Sequence, residues 1–306
     1  MKLVSVALHG RVLLGLWLEQ QGREPEVLDL AGAARAVAES ADLSSMLALI
    51  RGGEAALAAV RGLYEQRATL GSTLMPAASV RLLAPIPVPV RNIFCVGRNY
   101  LEHVKEGYAK AGVDLKLPKA PQFFTKATHA LNSPLGDVRL DPQVTKLLDY
   151  EVELAVIIGR GGRDIPPQQV FDHVFGYSVA NDFTARDLQR HHEQWFKGKS
   201  LDTTCPLGPC IVERASIGDL ATLELTLSVN GEERQRARVG QMIFGIPTIV
   251  ASLSAGMTLE PGDIIATGTP AGVGFAMNPS RALAAGDLVI ARIDRIGELR
   301  NRIVAA

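Results

Sequence analysis

Two glutamates separated by one residue, and an aspartate about thirty positions later, are the side chains of this sequence best placed to do chemistry. Glu151 and Glu153 lie in Leu147-Leu148-Asp149-Tyr150-Glu151-Val152-Glu153-Leu154-Ala155-Val156-Ile157-Ile158-Gly159, and Asp182 lies in Val179-Ala180-Asn181-Asp182-Phe183-Thr184. On a strand, side chains alternate between faces. Val152, Leu154, Val156 and Ile158 then share one face, while Glu151 and Glu153 point together to the other, about 7 Å apart. Such a pair repels, and strand propensity disfavours it. A solvated edge strand would tolerate it. Ala155 and Ile157, however, continue the carboxylate face as apolar residues, so that face reads as buried, and a buried carboxylate pair needs a compensating charge. Asp182 falls where a strand gives way to a helix, a common place for a capping aspartate and equally a place for a third oxygen ligand. Three carboxylates with no nearby Cys or paired His favour a hard cation, Mg²⁺ or Mn²⁺, with Ca²⁺ possible, over zinc.

Other residues surround this trio with less certain roles. His103 and Glu106 are three apart, hence neighbours on a helix. This is either a surface pair or a base whose imidazole is oriented and made more basic by the carboxylate. Lys126 follows Phe123-Phe124, consistent with a strand end that enters a site. Lys199 sits in Phe196-Lys197-Gly198-Lys199-Ser200 after a predicted helix, and Lys197 reads as a surface residue. His191-His192 diverge by about 100° on a helix and cannot share one ion. Arg186 and Asp187 are explained by a capping pair starting at Thr184. Thr267-Gly268-Thr269-Pro270-Ala271-Gly272-Val273-Gly274 lacks the Lys of a phosphate loop and reads as a tight turn. Cys95, Cys205 and Cys210 form no CxxC pair and are assigned to packing.

The elements that must position these residues divide at a proline-rich connector, Leu82-Leu83-Ala84-Pro85-Ile86-Pro87-Val88-Pro89, where three prolines fix φ and remove ladder donors. Residues 1–86 read as a small α+β domain: a hairpin of 3–8 and 12–18 around His9-Gly10-Arg11, then Ala/Leu-rich helix interrupted at Gly52-Gly53. Residues 87–306 read as a larger, β-rich, mixed α/β domain. Strands are expected at 93–97, 150–158, 174–180, 223–229, 263–267 and 287–293, with Asn230-Gly231 as a hairpin turn. Helices are expected at about 98–110, 184–195 and 243–254. There is no regular βαβ alternation. Lys+Arg and Asp+Glu both total 32 in 306 residues, so the balanced charge argues against nucleic-acid binding. No apolar run reaches the length of a membrane span, and the N-terminus lacks a signal-peptide pattern. A soluble, cytoplasmic protein is expected.

Eight segments, taken in order from about Asn92 onward, resemble the fumarylacetoacetate hydrolase family. They are Gly97-Arg98-Asn99-Tyr100-Leu101-Glu102-His103, Phe124-Thr125-Lys126, Asp149-Tyr150-Glu151-Val152-Glu153-Leu154, Asn181-Asp182-Phe183-Thr184-Ala185-Arg186-Asp187, Gly198-Lys199-Ser200-Leu201-Asp202, Cys205-Pro206-Leu207-Gly208-Pro209, Met242-Ile243-Phe244 and Thr267 to Gly274. The resemblance implies a β-roll catalytic domain, a homodimer, and Mg²⁺ or Mn²⁺ held by Glu151, Glu153 and Asp182. It implies a catalytic His103–Glu106 pair on a mobile lid, Lys199 at the metal site, and Arg98, Tyr100, Lys126 and Thr269 as substrate contacts. The implied substrate is a small 2-oxo or 1,3-diketo acid. With His103 and Glu106 both present, the expected reaction is hydrolysis of a C–C bond in an acylpyruvate or fumarylpyruvate. The alternative is a decarboxylase or tautomerase/isomerase of 2-oxo acids at the same metal, in which water activation is dispensable. A silent ligand-binding protein on the same scaffold is the remaining reading. Specificity is expected from the lid after Tyr100, from residues 275–283 and from the N-terminal domain, with Arg281 as one cation able to meet a second carboxylate.

Overall fold

Aliphatic and β-branched runs build the strands, and their pairing carries the acidic segment to the middle of one large sheet. The computed structural model describes residues 1–19 and 22–306. Among the described residues the large sheet has twelve strands. Its main path runs Leu74–Pro76, Glu26–Asp29, Arg11–Leu18, Lys2–Leu8, Cys205–Glu213, Val174–Asn181, Val152–Ile158, Ile264–Ala266, Ile93–Gly97 and Gln122–Lys126. Val152–Ile158 is antiparallel to Val174–Asn181 on one side and to Ile264–Ala266 on the other. It is therefore a central strand, and every residue in it is buried. Both faces are covered as the alternation implies. Val152, Leu154, Val156 and Ile158 join one core, and Ala155 and Ile157 join a second. Each such aliphatic side chain contributes about 1.5–3 kcal/mol on burial, so the solvated edge strand is excluded.

A five-stranded sheet covers the first face, in the order Glu232–Arg238, Glu224–Val229, Leu288–Ile293, Gly297–Ala305 and Val138–Leu140. Leu225, Leu227, Val289 and Ile293 bring it into the core of Val152 and Leu154. The second face shares its core with the N-terminal helices Leu30–Ala36 and Met46–Glu65, through Leu30, Leu49, Ile50 and Val60. The result is a sheet-rich, mixed α/β fold. The chain is extended and irregular between Leu82 and Ile93. The sheet nevertheless passes over this connector, because Leu3 of Lys2–Leu8 pairs with Ile211 of Cys205–Glu213.

Local signals explain most boundaries. His9 and Gly10 (φ 47° and 77°), and Asn230 and Gly231 (φ 52° and 83°), close two-residue hairpins in the left-handed conformation that such turns demand. Gly53 (φ 59°, ψ −142°) breaks the path of the helix Met46–Glu65 without ending it. Three expected helices are shorter in the structure: Leu101–Ala111, Arg186–His191 and Ile246–Ser254. The first starts late because Arg98 is left-handed (φ 56°) and the Asn99 side chain is tied to Phe244 and Thr267. The second is cut short before Glu193, which has φ 57°. Lys199 therefore ends a separate short helix, Phe196–Lys199, and does not lie in a loop. Among the described residues no helix is long and apolar enough to cross a membrane.

Candidate metal and substrate site

Strand register brings the distant carboxylate to the close pair. Val152 faces Asn181, so Glu151 and Asp182 meet at the end of the ladder. There the Asp182 N–H donates to the Glu151 carbonyl at 2.9 Å, and the Glu151 N–H donates to Asn181 Oδ1 at 3.0 Å. Carboxylate oxygens of Glu151, Glu153 and Asp182 lie within 4.8 Å of one another, and all three residues are buried. Asp182 is not a helix cap, since the following helix starts after Ala185 without a side-chain cap.

Three cations meet this cluster. Lys199 Nζ donates to Glu151 Oε2 and to Asp182 Oδ2, each at 2.7 Å. Lys126 Nζ donates to Asp182 Oδ1 at 2.7 Å and to the Phe183 carbonyl at 3.0 Å. Arg186 donates from Nη2 to Glu151 Oε1 at 2.6 Å and from Nε to Asp149 Oδ2 at 3.0 Å. Glu153 receives only the Gly268 N–H, at 2.8 Å, and has no side-chain cation in hydrogen-bond reach among the described residues. The two glutamates consequently part company. Burial opposes ionisation of Glu151, but the Lys199 and Arg186 charges outweigh it and hold its carboxyl well below the usual range. Burial, then the Asp182 and Glu151 charges, push Glu153 well above it.

This imbalance is what a divalent ion fits. Asp149, Glu151, Glu153 and Asp182 against Lys126, Arg186 and Lys199 leave one excess negative charge. A divalent ion would turn that into one excess positive charge, which a substrate carboxylate would neutralise. The donors are all carboxylate oxygens, the set that Mg²⁺ and Mn²⁺ take.

Two members of the cluster escape a reading of the sequence. Arg186 is not half of a capping pair, because Thr184 Oγ1 donates to the Asp182 carbonyl and the guanidinium turns inward to the carboxylates. Asp149 gathers Arg186 together with the Gly274 and Phe275 N–H groups, at 2.8 and 3.0 Å. Its position two residues before Glu151, on the same alternating face, is the signal that identifies it in retrospect. Asp187 faces elsewhere, accepting from Thr145 Oγ1 and the Lys146 N–H.

A cavity of about 860 Å³ opens in front of the carboxylates, lined by His103, Arg98, Lys199 and Thr269 among others. Helix Leu101–Ala111 lies over it. His103 Nδ1 is 2.8 Å from Glu106 Oε1, and Glu106 Oε2 accepts the Gly272 N–H at 2.9 Å. Gly272 has φ 107°, and a Cβ there would fall 1.8 Å from the Arg234 carbonyl, so only glycine lets this loop reach the lid. Thr269 Oγ1 accepts from Gln235 Nε2 at 2.8 Å, which leaves its own proton free to donate into the cavity. Tyr100 is buried at the lid's start with its hydroxyl unpartnered, and burial pushes its pKa upward. Neither Tyr100 nor Lys126 borders the cavity, and Lys126 lies behind Asp182. His191, His192 and Lys197 are exposed. The three cysteines are buried and free, and burial pushes Cys205 and Cys210 up to about 12, far from a thiolate at neutral pH.

The profile of the fumarylacetoacetate (FAA) hydrolase C-terminal domain matches residues 92–304. This chain is a member of the fumarylacetoacetate hydrolase family. Within the family it is 42% identical over 308 residues to the oxaloacetate tautomerase YisK of Bacillus subtilis, covering 99% of this chain and 100% of that relative. A solved fumarylacetoacetate hydrolase from psychrophilic Exiguobacterium antarcticum superposes with a TM-score of 0.80 at 38% identity, over 100% of both chains. A 5-carboxymethyl-2-hydroxymuconate delta-isomerase from Mycobacterium smegmatis gives 0.76 at 31% identity, again over 100% of both. The chain is thus an enzyme of this family, with an acidic triad suited to a divalent metal.

Proposed function

We propose that the chain is a metal-dependent tautomerase of a small 2-oxo dicarboxylic acid of the oxaloacetate type. The observation that carries this reading is the end-to-end match, at 42% identity, to a relative named for that reaction. The isomerase likeness supports it too, since both named reactions move a proton and a double bond and leave every C–C bond intact. Hydrolysis, the reaction that the His103–Glu106 pair led the sequence to favour, therefore gives way to the alternative beside it.

A Mg²⁺ or Mn²⁺ ion held by Glu151, Glu153 and Asp182 would supply Lewis acidity toward the 2-oxo and carboxylate oxygens. The residues of the chain account for the proton. With its Nδ1 proton given to Glu106, His103 keeps Nε2 as the basic nitrogen, suited to removing a proton from C3. The charge that develops on the C2 oxygen falls beside Lys199, which Asp182 and Glu151 hold protonated against the cost of burial. His103 releases the C3 proton to water and water returns a proton to that oxygen, which completes the enol with no net change in protons. The reverse path returns the keto acid. The Thr269 hydroxyl, which lines the cavity, would donate to the adjacent carboxylate. His103 thus has a use that does not involve water, unlike the dispensable role that the sequence assigns it outside hydrolysis.

A second reading keeps the same residues and lets His103 activate water for C–C hydrolysis. It draws on the named hydrolase at 38% identity. The two separate cleanly in one experiment on the Mg²⁺- or Mn²⁺-supplemented protein. Fresh enol oxaloacetate should lose its ultraviolet absorbance faster with the enzyme, with no pyruvate or CO₂ released. Release of one pyruvate per acylpyruvate, with enol decay unaffected, would replace tautomerisation by hydrolysis.

A further inference from the structure

Two guanidinium groups in the cavity, those of Arg190 and Arg98, have no part in the carboxylate cluster or the proton transfer. Arg186 and Arg190 are four apart on the helix Arg186–His191, on one face and one turn apart. Both stack on Phe275, at 5.2 and 5.0 Å from the ring centroid. Arg186 is spent inward on Glu151, Asp149 and Gln189. Arg190 lines the same cavity, is exposed, and meets Phe275 without any side-chain hydrogen bond or ion pair among the described residues. Arg98 also lines the cavity and is also without an acceptor there, 5.7 Å from the Tyr108 and Trp195 rings. Its left-handed backbone, φ 56°, is unusual for a residue with a Cβ. A guanidinium stacked on a ring keeps its edge N–H groups free for the two oxygens of a carboxylate.

The other charges nearby do not fill that role. Lys110 gives its ammonium to the Met277 carbonyl, and Glu193 is the carboxylate that lines the cavity beyond the triad. Arg281, the cation that the sequence offers to a second carboxylate, is engaged by Glu232 at 2.8 Å.

We infer that Arg190, assisted by Arg98, is the specificity-determining residue that takes the distal carboxylate of a dicarboxylic substrate. This rests on the 2-oxo acid reading and adds the reason for a second acidic group. Arg186 touches the metal ligand Glu151, so Arg190 stands one helical turn, about 5.4 Å, farther along the same face. There it meets the end of a short acid whose 2-oxo carboxylate lies at the triad.

The test is calorimetric titration of the Mg²⁺-loaded protein with oxaloacetate and with pyruvate, which keeps the 2-oxo acid head and lacks the distal carboxylate. Arg190→Gln should weaken oxaloacetate about tenfold or more and leave pyruvate within about twofold. Arg190→Lys should recover part of the loss, because an ammonium restores the charge without the fork. Equal weakening of both ligands, or of neither, overturns the assignment. Wild-type protein that prefers oxaloacetate to pyruvate yet leaves enol decay unchanged would defeat the tautomerase reading and leave this one standing.

Discussion

The carboxylate centre and the lid above it are built in opposite ways. Glu151, Glu153 and Asp182 are each at most 5% exposed and sit at the ends of central strands, and Glu151 and Asp182 are tied by Lys126, Arg186 and Lys199 from three separate elements. The lid helix Leu101–Ala111 buries only Val104, and its His103 and Glu106 side chains remain 14% and 20% exposed. It is anchored chiefly by Glu106 to Gly272 and by Lys110 to Met277. Segments held by few buried contacts open most readily. On the proposed reading the metal would be held by the well-buried part of the fold, and the base would ride on a helix with a single buried residue.

The contrast breaks most visibly at Asp182. Asp182→Ala should abolish metal-dependent turnover, and it also strands Lys126 as a buried charge and leaves Lys199 with Glu151 alone, at a cost of about 3–5 kcal/mol in denaturant unfolding. Because Asp182 holds two buried ion pairs, the loss is structural as well as catalytic. His103→Gln, on the lid, should lower kcat by roughly 10²–10⁴-fold while titration shows metal affinity and stability unchanged. An equal loss of metal affinity would merge the two regions into one.

Glu153 gives the subtlest test, because its charge is the one left uncompensated. Its pKa in the folded protein lies above its unfolded value, so the metal-free fold binds the extra proton and gains stability as pH falls through that raised pKa. As pH rises the carboxylate ionises and that contribution is lost. A bound divalent ion favours the ionised form, so the increase in Tm produced by Mg²⁺ should grow with pH. Glu153→Gln should remove the Mg²⁺ effect and raise the Tm of the metal-free protein by a few degrees. A lower metal-free Tm in that variant would mean that the charge is compensated after all.

How much of this can be read from the residues differs along the chain. The alternation of Val152, Leu154, Val156 and Ile158 against Ala155 and Ile157 reveals a strand buried on both faces, and with it the need for a counter-charge at Glu151 and Glu153. The i,i+3 spacing of His103 and Glu106 reveals the pair that forms at 2.8 Å. Arg186 and Asp149 stay hidden because their roles depend on ladder register and on a loop more than one hundred positions away. Helix ends are misplaced where a non-glycine residue goes left-handed, at Arg98 and Glu193, since neither type announces it. The reaction is the least legible feature, because an imidazole facing a carboxylate triad suits hydrolysis and enolisation equally well.

The N-terminal strand has a further consequence. Lys2–Leu8 is hydrogen-bonded along Ile211 and Val212 of Cys205–Glu213, a strand that is almost wholly buried. A chain cut at the proline connector would leave that length of backbone unpaired, as an open, apolar edge that another molecule's strand can extend. Lys2–Leu8 covers that edge and, through Arg11–Leu18 and Glu26–Asp29, hands the end of the sheet to Leu74–Pro76, a strand only three residues long.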